Sequence, residues 1–148
     1  MTVQEPIHQV DAERGNLQIE RIYRDWDAAL RDNNVAALLS LYAVYAELQS
    51  PLVCHLMNKE EGVCRGKAEI KQFFEILATR KPEARKFHRS GYFTDGKTVI
   101  WEYPHETPDG EQMDFVEVME IENGLIQKHR VYWGWFGFNV LNKDQYRR

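Results

Sequence analysis

The sequence MDFVEVMEIENGLIQKHRVYW, from Met113 to Trp133, has the pattern of two β-strands joined by a tight turn. Apolar and polar residues largely alternate on both sides of Asn123-Gly124, and this dipeptide between alternating runs is a strong hairpin signal. Two further turn signals, Asp95-Gly96 and Asp109-Gly110, precede it at a constant spacing of 14 residues. The sequence therefore predicts a four-stranded antiparallel meander with strands at 84–94, 97–107, 111–121 and 125–137.

Upstream of the meander the apolar residues recur with a helical period. A first helix is expected from Asn16 to the RDNN sequence that ends at Asn34, and a short second helix from Val35 to Leu41. A third helix is expected to start at Gly66 and to end before Pro82. The apolar faces of the first and third helices are Ile19, Ile22, Tyr23, Trp26 and Leu30, and Ile70, Phe73, Phe74 and Leu77.

Between the second and third helices the pattern is less regular. The sequence AVYAEL, from Ala43 to Leu48, predicts a strand that ends before Pro51, and residues 52–65 are expected to form a loop with some strand character. Helices first and a long meander last predict an α+β domain with three N-terminal helices packed on one face of an antiparallel sheet. We expect a flexible tail at 1–15, one domain at 16–140 and a polar tail at 141–148.

The composition excludes several classes of function. A net charge of −4 without a basic patch gives no reason to expect nucleic-acid binding. No apolar run is long enough for a membrane span, so we expect no membrane association and a cytoplasmic location. Cys54 and Cys64 are expected to be reduced thiols. Together with His55 they still lack the fourth ligand of a closed zinc site, so no metal is expected.

The turns also predict which face of the meander is buried. If each turn is a three-residue loop with Gly in the left-handed conformation, Thr107 pairs with Glu111 and Ile121 with Leu125. Odd-numbered residues then share one face, with Glu117 directly opposite His129. The even-numbered face is rich in charge and is expected to meet solvent; its charged residues are Glu102, Glu106, Asp114, Glu120, Glu122, Lys128 and Arg130.

Three ionisable side chains, Glu117, His105 and His129, fall on the predicted buried face among aromatic residues. Burial of such groups is unfavourable unless they are paired, so their presence needs a reason. A Glu117–His129 pair with no function is one explanation. A ligand or catalytic pocket is the other, because perturbed groups in a concave aromatic cavity are typical of active sites.

Four stretches carry a resemblance to a known family: WDAALRDNNVAALLSLYA, LQSP, CRGKAEIKQFF and the hairpin quoted above. They resemble the SnoaL-like and ketosteroid-isomerase-like branch of the nuclear-transport-factor-two-like superfamily over residues 16–140. The resemblance implies a cone-shaped α+β barrel with a strongly bent sheet. It also implies a homodimer through the convex sheet face. An apolar patch of Ile100, Val116, Val118 and Tyr132 on the even-numbered face points the same way.

The resemblance bears on the site residue by residue. The family's catalytic Asp precedes a Pro after the first strand, where this chain has Ser50 before Pro51, so the base of the steroid isomerases is missing. The helix-one Tyr corresponds to Trp26, and the protonated acid to Glu117. What remains is similar to the His-plus-carboxyl pockets of the cyclase and dehydratase members. In these terms His105 or His129 is the general base and Glu117 the acid or the orienting group.

Three hypotheses for the function follow. The first is a cofactor-free isomerase, cyclase or dehydratase that acts by acid–base chemistry next to a carbonyl of a small hydrophobic substrate. The second is a non-catalytic binder of such a molecule, and the third is a structural domain whose own side chains fill the cavity. In the first two, the residues expected to line the pocket are Trp26, Tyr42, Phe74, Trp101, Tyr103, Phe115 and Trp133.

Overall fold

The computed structural model describes residues 7–80 and 88–146. In this part of the chain the helices are α1 (Ile7–Arg31), α2 (Val35–Leu39), α3 (Pro51–Met57), α4 (Gly66–Ala78) and α5 (Gly137–Asn142). The strands are β1 (Tyr42–Gln49), β2 (Val63–Arg65), β3 (Phe93–Thr94), β4 (Thr98–Glu106), β5 (Gln112–Glu122) and β6 (Leu125–Trp133). No helix in these two ranges is both long and apolar enough to cross a membrane.

The strands form one sheet in the order β2-β1-β6-β5-β4-β3. Neighbouring strands are antiparallel except β1 and β6, which run parallel. Helices α1 and α4 cover the inner face, and their apolar residues Ile22, Trp26, Phe73 and Phe74 belong to the same buried cluster as Trp101 of β4. The predicted α+β class is confirmed, and the one parallel pair joins the first strand to the end of the meander.

The turn between β4 and β5 has the predicted form. The N–H of Thr107 donates to the carbonyl of Glu111 at 2.9 Å, which closes a three-residue loop. Gly110 has a φ of 81° there, a conformation that a residue without a Cβ adopts without strain. The register follows, with Trp101 opposite Glu117 and the remaining β4–β5 pairs as predicted.

The turn between β5 and β6 differs from the prediction. Asn123 and Gly124, with φ values of 54° and 71°, form a two-residue turn between the paired residues Glu122 and Leu125. The register then shifts by one residue, because Gln127 has no partner on β5 and forms a β-bulge. The predicted three-residue loop and the direct pairing of Ile121 with Leu125 are therefore wrong.

The bulge changes which residues oppose each other without changing the buried face. His129 lies opposite Met119, and Val131 lies opposite Glu117. Glu117 and His129 are thus diagonal neighbours, whereas the sequence placed them directly opposite. Both are buried, as the prediction for odd-numbered residues requires. On the even-numbered face Glu106 is also buried, which corrects its assignment to solvent.

Segment 52–65, expected to be a loop, contains α3 and β2. Ser50 adopts an extended conformation and caps α3 by accepting a hydrogen bond from the N–H of Leu52 at 3.2 Å. Pro51 occupies the first turn, where its missing N–H is not needed. Leu52 and Val53 are buried, and this contact with the core holds the short helix in place.

The ends of the elements also differ from the expectation. Helix α1 already begins at Ile7, inside the segment expected to be a tail. At the other end, Gln145 and Tyr146 are buried within the segment expected to be a polar tail. The predicted strand 84–94 is shortened to Phe93–Thr94; residues 81–87 lie outside the described ranges, and residues 88–92 are not in a strand.

Replacement of Trp26 by Ala should destabilise the fold strongly, because the side chain is only 3% exposed and fills the space between α1 and the sheet. The expected loss is about 3–5 kcal/mol of unfolding free energy, measured by urea denaturation. Trp135→Ala is the matched control, since Trp135 is 81% exposed, and it should change stability by less than about 0.5 kcal/mol. Equal midpoints in the two variants would contradict the assigned packing.

Candidate functional site

A cavity of about 40 Å³ lies between the helices and the inner face of the sheet. Space for one water requires roughly 10–15 Å³ by the same kind of measure, so the cavity has room for about three waters. Eight of the ten predicted site residues line it: Trp26, Phe74, Tyr103, His105, Phe115, Glu117, His129 and Trp133. The structure therefore brings these eight residues together around one small cavity.

A chain of hydrogen bonds runs through the buried wall of this cavity. The indole N–H of Trp26 donates to the hydroxyl of Tyr42 at 3.0 Å. That hydroxyl lies 2.9 Å from Nδ1 of His129, and Nε2 of His129 lies 3.0 Å from Oε2 of Glu117. All four side chains are at most 3% exposed. The chain links α1, β1, β6 and β5 in that order.

The donors in this chain can be assigned from its ends. The Trp26 indole only donates, so the Tyr42 oxygen accepts there and its own proton must go elsewhere. Burial, with a further contribution from the charge of Glu117, raises the pKa of Tyr42 well above its ordinary value, so the phenol keeps that proton. Within the described part of the chain, the acceptor left for it is Nδ1 of His129. The neutral imidazole then carries its proton on Nε2 and donates to Glu117.

This assignment leaves one polar atom of the hydrogen-bonded chain from Trp26 to Glu117 available to a ligand. Both nitrogens of His129 are engaged, by Tyr42 and by Glu117. The second carboxyl oxygen of Glu117, Oε1, forms no hydrogen bond with any described residue. Since Glu117 lines the cavity, Oε1 is the atom that can contact a ligand there. The hydrogen bond from His129 to Oε2 orients the carboxyl.

His105 lies in the same cavity wall. Its imidazole stacks on the ring of Phe115, with a centroid distance of 4.3 Å and an angle of 10° between the rings. Tyr103 packs edge-on against both rings, at centroid distances of 5.9 Å. His105 is half-buried, so it is the more accessible of the two predicted histidines.

Two predicted pocket residues lie behind the cavity wall and do not line it. Tyr42 is fully buried and holds His129 through the hydrogen bond described above. Trp101 is 1% exposed. Its indole packs edge-on against Trp26 and Tyr23, at centroid distances of 5.7 and 5.2 Å. Beneath the site, Tyr42 therefore acts through its hydrogen bonds and Trp101 through packing.

Seven lining residues were not among the predicted site residues. Ser50, the residue before Pro51, lines the cavity while it caps α3. The Ser50-Pro51 pair is itself a signal for a helix start, and it could have identified α3. The other six are aliphatic or aromatic, and nothing in the sequence distinguishes them from ordinary core residues: Leu30, Leu48, Leu52, Phe73, Leu77 and Val131.

The two cysteines lie apart from this site. Both are free thiols, and burial raises the pKa of Cys64 to about 11. The Cys64 thiol donates to the sulfur of Met57 at 3.5 Å, which is a packing contact. The described ranges contain no cluster of three or more His, Cys, Asp or Glu side chains that could hold a metal ion.

A family model for the SnoaL-like domain matches residues 23–129, which is more than half of the chain. The chain belongs to the SnoaL-like family. The matched range includes every residue of the hydrogen-bonded chain from Trp26 to His129. No curated protein matches this SnoaL-like chain at a significant level.

Solved structures show the same fold. A SnoaL-like protein of unknown function from Burkholderia thailandensis has a TM-score of 0.63 at 22% identity, covering 88% of this chain and 99% of that one. TerC, co-crystallised with polyporic acid, has a TM-score of 0.67 at 21% identity, with 85% and 98% covered. An NTF2-like protein of unknown function from Cytophaga hutchinsonii has a TM-score of 0.59 at 16% identity, with 94% and 99% covered. At these identities the likeness establishes the fold alone.

The donor assignment predicts a single tautomer for His129. Nitrogen-15 NMR of the imidazole at neutral pH should show Nδ1 as an unprotonated nitrogen and Nε2 as a protonated one. In Tyr42→Phe this preference should weaken, since the phenol proton that holds it is removed. The variant should also lose about 1–3 kcal/mol of stability, because Trp26 Nε1 and His129 Nδ1 lose their partner in a buried place. A proton found on Nδ1 in the unmodified protein would contradict the assigned direction of the chain.

Proposed function

We propose that this chain is a cofactor-free isomerase, cyclase or dehydratase that moves protons next to a carbonyl of a small hydrophobic molecule. The observation that carries the proposal is the buried Tyr42–His129–Glu117 chain, which ends at a carboxyl oxygen inside an apolar cavity. A carboxyl fixed by a donor on one oxygen is oriented for proton transfer through the other. The likeness to TerC, which was co-crystallised with polyporic acid, supports a small-molecule ligand.

In the proposed reaction Glu117 is the group that exchanges protons with the substrate. Its Oε1 removes a proton from the carbon beside the carbonyl, and the electrons of the broken C–H bond form an enolate. The protonated carboxyl then returns the proton to another carbon in an isomerisation, or to a departing hydroxyl in a dehydration. Each step is a proton transfer without a net change in oxidation state, so none of them requires a redox cofactor.

His129 and His105 have different roles in this proposal. His129 is a positioning residue, since its Nε2–H donates to Oε2 of Glu117 and orients that carboxyl. His105 lines the same cavity, and we assign it the donation of a hydrogen bond to the developing enolate oxygen.

The test uses 2-tetralone, a small ketone whose acidic protons exchange in D₂O and are followed by proton NMR. The protein should accelerate this exchange, and Glu117→Gln should lower the acceleration at least about 100-fold, within the range for loss of a general base. Glu122→Gln, on the exposed end of β5, is the matched control and should keep full activity. Exchange that is unaffected by Glu117→Gln would overturn the assignment of the base.

A non-catalytic binder is the second candidate. The observation that favours it is that Ser50 occupies the position before Pro51 where the resemblance implies a catalytic Asp. The same experiment separates the two functions. Binding of 2-tetralone without any acceleration of exchange in the unmodified protein would support the binder. The third hypothesis, a purely structural domain, predicts neither binding nor exchange.

We also propose that the chain forms a homodimer through the convex face of the sheet. Ile100 and Val118 are directly paired across β4 and β5, and Val116 is paired with Tyr132 across β5 and β6. Ile100 is 39% and Tyr132 49% exposed, whereas Val118 is 8% exposed, so the patch meets solvent mainly through Ile100 and Tyr132. A self-complementary patch of this kind suits a two-fold interface.

Sedimentation velocity at micromolar concentration should show a dimer. Ile100→Arg should shift it towards monomer, because the guanidinium would lie unpaired in the centre of an apolar interface. Glu102→Gln, on the same face, is expected to keep the dimer. A monomer in the unmodified protein would contradict the proposal.

The cytoplasm remains the compartment that we propose, and the two free thiols support it.

A further inference from the structure

Four aromatic rings follow one another from the C-terminal segment to the wall of the cavity that contains Glu117. The ring of Tyr146 stacks on Trp133 at a centroid distance of 6.4 Å and an angle of 28°. Trp133 stacks on Phe115 at 5.5 Å and 9°, and Phe115 stacks on the imidazole of His105 at 4.3 Å and 10°. We call these four rings the column of stacked rings. It joins β4, β5 and β6 to the segment that follows α5.

Trp133, inside the column, is held from more than one side. Gly137 in α5 lies so close to the indole that a Cβ there would be 2.7 Å from Cε3 of Trp133. In the part of the chain that the structure describes, Phe115 and Tyr146 are the two aromatic rings that pack on Trp133. Because protein interiors are close-packed and have low compressibility, the displacement of one ring is passed on to the next. The position of the His105 imidazole therefore depends on every ring up to Tyr146.

Tyr146 contributes its ring to the column, whereas its hydroxyl has no visible part in it. The side chain is 1% exposed, and burial raises the pKa of the phenol above its ordinary value, so the hydroxyl stays neutral. This hydroxyl forms no hydrogen bond with any residue in the described ranges. A Phe at this position would therefore keep the stacking contact, and a side chain without a ring would lose it.

Hydrogen bonds also attach the C-terminal segment to the turn that follows His105. Gln145 is 1% exposed, and its Oε1 accepts from the N–H of Asp109 at 3.4 Å. Its Nε2 donates to the carboxylate of Glu111 at 3.3 Å. Asp109 and Glu111 lie between β4 and the start of β5, and His105 lies near the end of β4. Tyr146 and His105 are thus connected twice, through the column of stacked rings and through this turn.

We propose that Tyr146 is a positioning residue for His105, because its ring closes the column of stacked rings and holds the imidazole in the cavity wall. The inference rests on the proposed function for the role of His105, the donation of a hydrogen bond to the enolate oxygen. Such a donor is effective only while it is aimed at the place where charge develops. Displacement of a catalytic group by about 1 Å can lower a rate about 100-fold. Tyr146 therefore influences the proposed reaction although it does not line the cavity.

The NMR signals of the His105 ring test this connection directly. Stacking on Phe115 shields the carbon-bound protons of the imidazole, so proton–carbon spectra should show them upfield of those of an exposed histidine; a His105→Gln variant identifies the signals. Tyr146→Met removes the flat ring but fills part of its space, and it should move these signals downfield. The signals of His129, which lies outside the column, should stay in place in the same spectra.

The rate of 2-tetralone exchange tests the effect on the reaction. In Tyr146→Met, kcat should fall at least about tenfold, within the loss that a displaced catalytic group can cause. KM should change less than about threefold, because the oxygen gains its charge only in the transition state. Tyr146→Phe should restore both kcat and the His105 signals. Phe138→Met is the matched control, since Phe138 is 77% exposed and lies outside the column.

Circular dichroism spectra and urea midpoints identify the folded variants. His105 signals that are the same in folded Tyr146→Met and in the unmodified protein would overturn the inference. A rise in KM at an unchanged kcat would also overturn it. If Tyr146→Met is not folded, Gly137→Ala decides in its place, because the added Cβ presses on Trp133 from α5; unmoved His105 signals in that variant would show that the column does not hold the imidazole.

The outcomes for the inference and for the proposed function are separable. If the His105 signals move in Tyr146→Met and return in Tyr146→Phe, but the unmodified protein does not accelerate exchange, the connection of Tyr146 to His105 is upheld and the proposed activity fails. If exchange is accelerated and depends on Glu117, but the His105 signals and kcat are unchanged in Tyr146→Met, the activity is upheld and the positioning role fails.

Discussion

The buried carboxyl of Glu117 is the constraint on which much of this structure depends. A carboxyl in an apolar interior is unfavourable unless its environment supplies hydrogen bonds. Here a chain of hydrogen bonds runs from Trp26 through Tyr42 to His129, which donates a hydrogen bond to the carboxyl. The chain takes one side chain from each of α1, β1, β6 and β5. Because every link is buried, loss of one partner leaves another polar atom without a hydrogen bond. The chain therefore fixes the positions of these four elements relative to one another.

The bulge at Gln127 brings together His129 and Glu117, the last two members of this chain of hydrogen bonds. The two-residue turn at Asn123-Gly124, continued without a bulge, would pair residues of opposite parity and turn His129 towards the convex face. One unpaired residue restores the parity, so that His129 points inward again, diagonal to Glu117. A local irregularity of one strand thus makes a buried acid–base pair compatible with a tight hairpin.

The sequence predicted α1, α2, α4, the last three strands of the meander and its buried face, because regular spacing and alternation are properties of neighbouring residues. The Glu117–His129 contact was also predicted, but through a register that the bulge alters. The sequence does interrupt its alternation at this point, since the two polar residues Gln127 and Lys128 stand side by side between Ile126 and His129. The role of Tyr42 could not be found in this way. It depends on the parallel pairing of β1 with β6, a contact between distant parts of the chain that no local pattern reports.

A group of stacked aromatic residues plays a different role in the site from that of the hydrogen-bonded chain. His105, Phe115, Trp133 and Tyr146 form a continuous column of stacked rings from β4 to the C-terminal segment. Its first three rings line the cavity that contains Glu117, whereas Glu117 is oriented by its hydrogen bond to His129 on β6, which is itself bonded to Tyr42 on β1. The shape of the cavity and the orientation of the carboxyl therefore depend on different parts of the sequence. Changes in α5 and the C-terminal segment, including Gly137 against Trp133, can alter which molecules fit while the bonds that hold Glu117 stay intact.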